Sequence, residues 1–322
     1  MITYVLGGFF TSPAQVLVNT VNTVGVMGKG LAKEFKAVWP EMFDAYVARC
    51  EAVDLVPGSL HLWRSPHKWV LNFPTKRHWR QRSRPEDVEA GLRTFAATWA
   101  DYGITSVAFP QLGCGNGGLD WETQVRPMME RWLAPLPIDV SIHVADGRPL
   151  MPDGPEGEAL VAWLRGEPPN PSFARFWDGL VAAVECGVPG WTRNGETVVY
   201  AADGATSGPI AREDWHRVWR ELTVGGLLDA DGSALVGAPP DALFDLLERA
   251  SGVAPARAVR VDAPTDQRHA HVSRMLAEPS ARAVRYDPIT DNVPAPARPG
   301  GDGSAPWSGN RTQTTSQLPL FG

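Results

Sequence analysis

Six short apolar runs, set apart by polar or amphipathic stretches, govern what residues 1 to about 148 can fold into. They read ITYVLG, QVLVNTV, SLHLWR, WVLNFP, SVAFPQL and DVSIHVA. Helical patterns over 29–38, 41–52, 85–102 and 121–133 lie among them. The 85–102 helix is well started, with Ser83 ahead of it and Pro85, Glu86 and Asp87 in its first turn. Strands that are apolar throughout have no face to give to water. Separated by helices, they predict a sheet covered on both sides, a three-layer α/β/α arrangement.

The pattern then decays. DGRPLMPDGPEGE (146–158) is turn-rich and RGEPPNPS (165–172) is Pro-rich, so 149–171 is expected to be a linker. A smaller α+β domain is expected over 172–290. It has a helix FARFWDGLVAAVEC, a hairpin WTRNGETVVYAADG, helices REDWHRVWREL and PDALFDLLERAS, and a short strand ARAVRVD. A wing-like hairpin after REDWHRVWREL is compatible with a winged-helix-like fold. Trp215 and Trp219 are spaced i, i+4, as core residues on one helix face are; His216 has no evident partner. No internal repeat is apparent. Residues 291–322 are rich in Pro, Gly, Ser and Thr with few aliphatic residues, the composition of a disordered tail, and end in QLPLFG.

Net charge is −6, which argues against a nonspecific nucleic-acid coat while allowing a local phosphate site. Three cysteines, widely spaced and odd in number, argue against a disulfide framework or a zinc site and for a reducing, cytoplasmic setting. The opening MITYVLGGFF lacks a basic n-region and reads as strand and turn. No run of 18 apolar residues exists to span a membrane.

Two glycine-rich stretches follow strands. NTVNTVGVMGKGLAKEF (19–35) and PQLGCGNGGLDW (110–121) both run from strand to helix. Glycines let backbone N–H groups turn inward, and a helix N-terminus adds partial positive charge; together they form an anion cradle. Both would lie at the carboxyl ends of strands, where open α/β sheets bind ligands. Neither fits G-x-G-x-x-G in an opening βαβ unit or the G-x-x-x-x-G-K-[ST] loop. A third polar segment, PTKRHW, follows VLNF. The chain has 25 arginines and five lysines: Lys29, Lys33, Lys36, Lys68 and Lys76. A lysine at a strand end in such an arginine-rich chain is either a solvated loop charge or a residue in a role only an amine fills.

ITYVLGGFF, LVNTVNTVGVMGKGLAKEFK, LNFPTKRHWR and LGCGNGGLDW, in this order, resemble the macrodomain family in its DarG branch. The resemblance covers residues 1–148. It implies a three-layer fold with a mixed sheet and an antitoxin activity: removal of ADP-ribose from DNA bases modified by a DarT toxin. It implies Lys76 as the catalytic amine, Asn22 at the distal ribose and the Gly28–Gly30 turn closed over it, with Val26, Met27, Lys29 and Thr75 also among the ADP-ribose contacts; Lys29 either touches phosphate or sits at the helix start. Gly113, Cys114, Gly115, Asn116, Gly117 and Gly118 would cradle the diphosphate. No cofactor and no metal are implied. Family members commonly carry an Asp where this chain has Gly8, so adenine recognition must come from elsewhere, such as backbone groups or Phe9. Related glycohydrolases place an Asp where Gly117 stands; Asp120, two residues beyond the glycine pair, is expected to cap a helix. Trp79 and Trp121 are candidates for base stacking or for packing.

Other readings are an ADP-ribose-binding module without turnover, a toxin-neutralising interaction protein acting through 172–290, and a hydrolase of O-acetyl-ADP-ribose or ADP-ribose 1″-phosphate. The tail resembles the bacterial sliding-clamp binding peptide, which implies contacts from Gln317, Leu318, Leu320 and Phe321. The partners implied are therefore ADP-ribosylated DNA, a DarT-like toxin and the clamp, with no membrane.

Overall fold

The computed structural model describes residues 1–166, 172–202, 204–250, 252–261 and 272–286. Strands β1 (Ile2–Leu6), β2 (Val16–Asn22), β3 (His61–Arg64), β4 (Trp69–Lys76), β5 (Ser106–Pro110) and β6 (Asp139–Val144) are the six apolar runs. Helices α1 (Gly30–Val38), α2 (Pro40–Glu51), α3 (Pro85–Tyr102) and α4 (Arg126–Leu133, entered through a π turn at Trp121–Val125) lie among them. Strands β1, β6, β5, β2 and β4 are neighbours in that order and all parallel, so their carboxyl ends share one edge. β3 closes the far side antiparallel to β4, which makes the sheet mixed.

Alternate residues of one strand feed opposite cores. Val16 and Val18 pack with Val88, Leu92, Phe95, Met129 and Leu133 of α3 and α4. Leu17 and Val21 pack with Phe35, Val38, Met42 and Tyr46 of α1 and α2. Both faces are covered, as uniformly apolar strands require. At the α3–β4 contact the fit is close enough to need a glycine: a Cβ on Gly91 would stand 2.3 Å from the Phe73 ring.

Within the stretch expected as a linker, Gly154–Arg165 forms a helix, α5. Its Leu160 and Leu164 are buried against α1 and α2, and Arg165 bonds the Val38 carbonyl at 2.9 Å and Glu41 at 2.8 Å. Beside it, the Lys68 amine is buried and donates to the carbonyls of Ser12 and Ala14 at 2.9 and 2.7 Å, 5.2 Å from the Trp163 ring.

The later region opens with α6 (Phe173–Glu185), β7 (Trp191–Asn194), β8 (Thr197–Ala202), β9 (Ala205–Thr206), β10 (Ile210–Ala211), α7 (Arg212–Arg220), β11 (Leu227–Leu228) and α8 (Pro240–Leu247). Trp215 is fully buried in its core, and His216 lies between Phe173 and Trp219, 4.7 and 5.1 Å from their rings. In place of the wing-like hairpin, Leu227–Leu228 pairs with β13 (Arg282–Tyr286) and residues 232–235 form a 3₁₀ turn. β13 pairs with β12 (Val253–Val261), and β12 pairs antiparallel with β1, so one sheet of nine strands runs from β11 to β3. A short repeat does exist: the pentapeptide ARAVR occurs at 256–260 and 281–285, and its two copies are these paired strands. Val261, Val272 and Leu276 join the core under α3 and α4. Among the described residues no helix is long and apolar enough to cross a membrane.

Candidate functional site

The carboxyl ends of the five parallel strands open into a cleft of about 830 Å³. β4 supplies Thr75 and Lys76. Pro74 has no N–H to give to the β2–β4 ladder, and the register breaks beside it: Val21 faces Pro74, but Asn22 faces Lys76. Thr75 is the extra residue. The break sets Lys76 opposite Asn22, where an unbroken ladder would set Thr75. The Lys76 amine donates to the Asn116 carbonyl of the second glycine loop, and partial burial lowers its pKa.

Asn22 lines the cleft, but its side chain is mostly committed to its own loop. Its Oδ1 accepts from the Val24 and Val26 amides at 3.0 and 3.3 Å and from Tyr46 Oη at 3.1 Å; Nδ2 donates to the Val26 carbonyl at 2.6 Å. One Nδ2 hydrogen is left for a ligand. Val26, Gly28, Lys29 and Gly30 also line the cleft. Met27 turns away, buried beneath Asn19. Gly30 approaches the second loop so closely that a Cβ would meet Asn116 Nδ2 at 2.9 Å.

The second loop is pinned from behind. The Ser83 amide donates to the Gly117 carbonyl at 3.0 Å, the Leu119 amide to the Gly113 carbonyl at 3.1 Å, and Arg82 to the Gly118 carbonyl. The amides of Gly115, Asn116 and Gly117 meet no acceptor among the described residues, and these residues line the cleft with Gly113. Such a row of free N–H groups is an anion nest. Cys114 and Gly118 fall outside its wall. Cys114 packs against the core, and burial pushes its thiol up to about 12. Gly117 does not project a side-chain position into the cradle as a ligand-facing residue would. A Cβ there would lie 2.2 Å from the Gly113 carbonyl and 2.3 Å from Ser83 Oγ.

Asp120 caps the turn into α4, accepting from the Thr123 amide at 2.7 Å and its hydroxyl at 2.6 Å; these bonds lower its pKa. Trp121 is core, edge-on to Tyr4 at 6.4 Å, whereas Trp79 stands at the rim, 45% exposed. Phe9 is buried among Phe10, Phe35 and His143. His143 donates from Nδ1 to the Gly7 carbonyl at 2.7 Å; burial pushes its pKa down to about 4, so it is neutral near pH 7.

Nothing in the sequence pattern marks Asp146. It leaves β6 beside the end of β1, two residues past the Leu6–Val144 pair. A Cβ on Gly7 would meet its Oδ2 at 2.4 Å, and one on Gly8 would meet Arg285 Nη1 at 3.0 Å. Asp146 lines the cleft with Arg148, whose amide and guanidinium reach it at 3.0 and 3.2 Å. The signal for it is the register of two adjacent parallel strands, which no local pattern carries.

The two loop glycines make a contrast that can be measured. Gly117→Ala is expected to lower stability by about 1–3 kcal/mol, because backbone stands where the methyl would go. Gly115→Ala meets nothing within 4 Å and is expected to cost less than about 0.5 kcal/mol. Equal urea-unfolding midpoints for the two variants would refute this packing of the loop.

Residues 18–128 match the family model of the macro domain. The chain is 45% identical over 125 residues to a DNA ADP-ribosyl glycohydrolase of Thermus aquaticus, which is 38% of this chain and 35% of that protein. It is 39% identical over 169 residues to a protein of the same name from Mycobacterium tuberculosis, 51% of this chain and 48% of that one. A DNA ADP-ribosyl transferase-DNA ADP-ribosyl glycohydrolase fusion protein of Thermosipho africanus is 38% identical over 157 residues, 43% of this chain and 40% of the other. The chain thus spans about half or less of the length of these curated relatives. The part of the chain that matches the macro domain thus lies within the stretch over which it is similar to proteins that bear the name DNA ADP-ribosyl glycohydrolase.

Proposed function

We propose that the macro domain hydrolyses the bond between ADP-ribose and a DNA base. The observation that carries this reading is the placement of Lys76, which stands opposite Asn22 and lines the same cleft as a loop that offers three free backbone N–H groups. Those N–H groups suit the diphosphate. The ribose bearing the base then lies toward Lys76. Burial raises the neutral fraction of the amine. A neutral amine attacks the anomeric carbon as the base nitrogen departs with a proton, and water then releases ADP-ribose and restores the lysine.

Lys76→Ala is expected to abolish release of ADP-ribose from thymidine- and guanosine-modified oligonucleotides while ADP-ribose still binds. Lys76→Arg is expected to fail as well, since a guanidinium stays protonated. In the wild type the single-turnover rate should rise with pH until it passes the folded-state pKa of the amine, below 10.5, and then level. Near-normal turnover in Lys76→Arg would assign the lysine an electrostatic role, and full turnover in Lys76→Ala would remove it from the reaction.

Asp146 suits the adenine end. The family's carboxylate after β1 is replaced by Gly8, and the adjacent strand brings a carboxylate against the neighbouring Gly7. Its spare lone pairs can accept the adenine 6-amino group. A hydrogen bond to a charged acceptor favours ADP-ribose over inosine diphosphate ribose, which has an oxygen there, by about ten- to hundredfold. Calorimetry on Asp146→Ala should show that preference gone. A preference that persists would place adenine recognition elsewhere.

The partner that would create the substrate is a DNA ADP-ribosyl transferase of DarT type. The Thermosipho africanus relative, named for both activities, supports this pairing. The three free cysteines suit a cytoplasmic reaction. The clamp-binding tail, Gln317 to Phe321, lies outside the described residues, and its support is the sequence QLPLF. A peptide of residues 311–322 is expected to bind a bacterial sliding clamp with micromolar affinity, and to lose it when Leu320 and Phe321 become Ala. No binding of the unaltered peptide would end this reading.

A further inference from the structure

The loop between β4 and α3 concentrates positive charge in a chain of net charge −6. Residues 76–84 read KRHWRQRSR, with five formal positive charges (Lys76, Arg77, Arg80, Arg82 and Arg84), one histidine and no acid. The fold sorts these side chains into two sets. Arg77 is clamped to Asp87 by bonds of 2.9 and 3.0 Å, while Arg82 and Ser83 hold the second glycine loop. These fix the loop. The second set, Trp79, Arg80 and Arg84, is exposed, and among the described residues neither arginine has an ion pair. Arg80 lies over the Trp79 ring at 4.5 Å.

The apolar part of the rim sits beside this charge. Val24 and Val26 are 44% and 38% exposed, and Thr23 donates to the Arg77 carbonyl at 2.7 Å, which joins their loop to this one. Val26, Lys76, Trp79 and Arg80 all line the cleft. A base attached to a ribose at Lys76 must leave the cleft past this rim.

We infer that the β4–α3 loop is the strand-gripping surface, which takes single-stranded DNA with the modified base between Val26 and Trp79 and the flanking phosphates on Arg80 and Arg84. The inference rests on the glycohydrolase reading. A base inside a duplex cannot reach an amine set within a cleft, so it has to leave the stack. Cations that track the backbone beside an exposed aromatic ring are what an unpaired strand requires. A base that replaces Arg80 on the Trp79 face frees the guanidinium for the next phosphate.

The test uses the full chain and two readouts. The first is fluorescence anisotropy with an unmodified single-stranded oligonucleotide of about ten nucleotides across a salt series. Each phosphate that the protein ceases to neutralise should lower the log–log salt slope by about 0.7. Arg84→Ala should weaken binding severalfold and flatten the slope by that amount. Trp79→Ala should weaken binding with the slope kept. The same sequence as a duplex should bind more weakly to the wild type.

The second readout is hydrolysis of an ADP-ribosylated nucleoside beside an ADP-ribosylated oligonucleotide. Arg84→Ala should lower kcat/KM on the oligonucleotide and leave the nucleoside unaffected, because Arg84 lies outside the cleft. Arg84→Ala and Trp79→Ala variants that bind the strand as the wild type does would overturn the inference, whether or not the enzyme turns over. Equal binding of duplex would overturn its single-strand part. Strand binding through this loop with no hydrolysis of either substrate would overturn the glycohydrolase reading alone.

Discussion

The site depends on one break in the register between two buried parallel strands. β2 and β4 pair residue for residue from Val16–Trp69 to Val21–Pro74, and one residue later the partner of Asn22 is Lys76. Side chains alternate along a strand, so a single extra residue changes which of them stands beside Asn22. Pro74 causes the break because it cannot donate to the ladder. The loop beyond is then held by the Arg77–Asp87 clamp into the first turn of α3, and α3 lies on β4 at the Gly91–Phe73 contact. The placement of one amine therefore rests on the strand, the bulge, the clamp and the helix together.

Much of this was legible in the residues. The six strands were visible because a strand covered on both faces is apolar throughout, and the helices 85–102 and 121–133 because their ends carry strong signals. α5 was hidden. Its first turn, Gly-Pro-Glu-Gly, is poor in helix formers, and the helix exists because Leu160 and Leu164 find a core that is distant in sequence. The join of β12 to β1 was hidden for a related reason. ARAVR alternates as an edge strand does, but nothing local says which edge it meets.

The site shows the same division. Lys76 and both glycine loops announce themselves through residue types that strand ends seldom need for packing. Asn22 was legible as a cleft residue, but its use as a staple for Val24 and Val26 was not, since that depends on how residues 23–28 curl back over it. Gly117 was legible as a loop glycine, but the room it leaves for the Gly113 carbonyl and Ser83 depends on how the loop folds back. Asp146 could be found only by aligning β1 with β6 in space.

Two lysines answer why an arginine-rich chain keeps any outside α1 and its approach. The Lys68 head fits between two carbonyl oxygens and against the Trp163 ring, in a space where a planar guanidinium with five N–H donors would leave several unpaired. Burial pushes its pKa down to about 7, and its two acceptors suit both the ammonium and the neutral amine. Lys76 is less buried, and burial lowers its pKa too, but it meets one carbonyl and otherwise faces the cleft. The same desolvation acts on both amines. What separates them is the acceptor count: the enclosed amine is occupied and ties Ser12 and Ala14 to the start of β4, whereas the open one has a single carbonyl partner and faces the cleft.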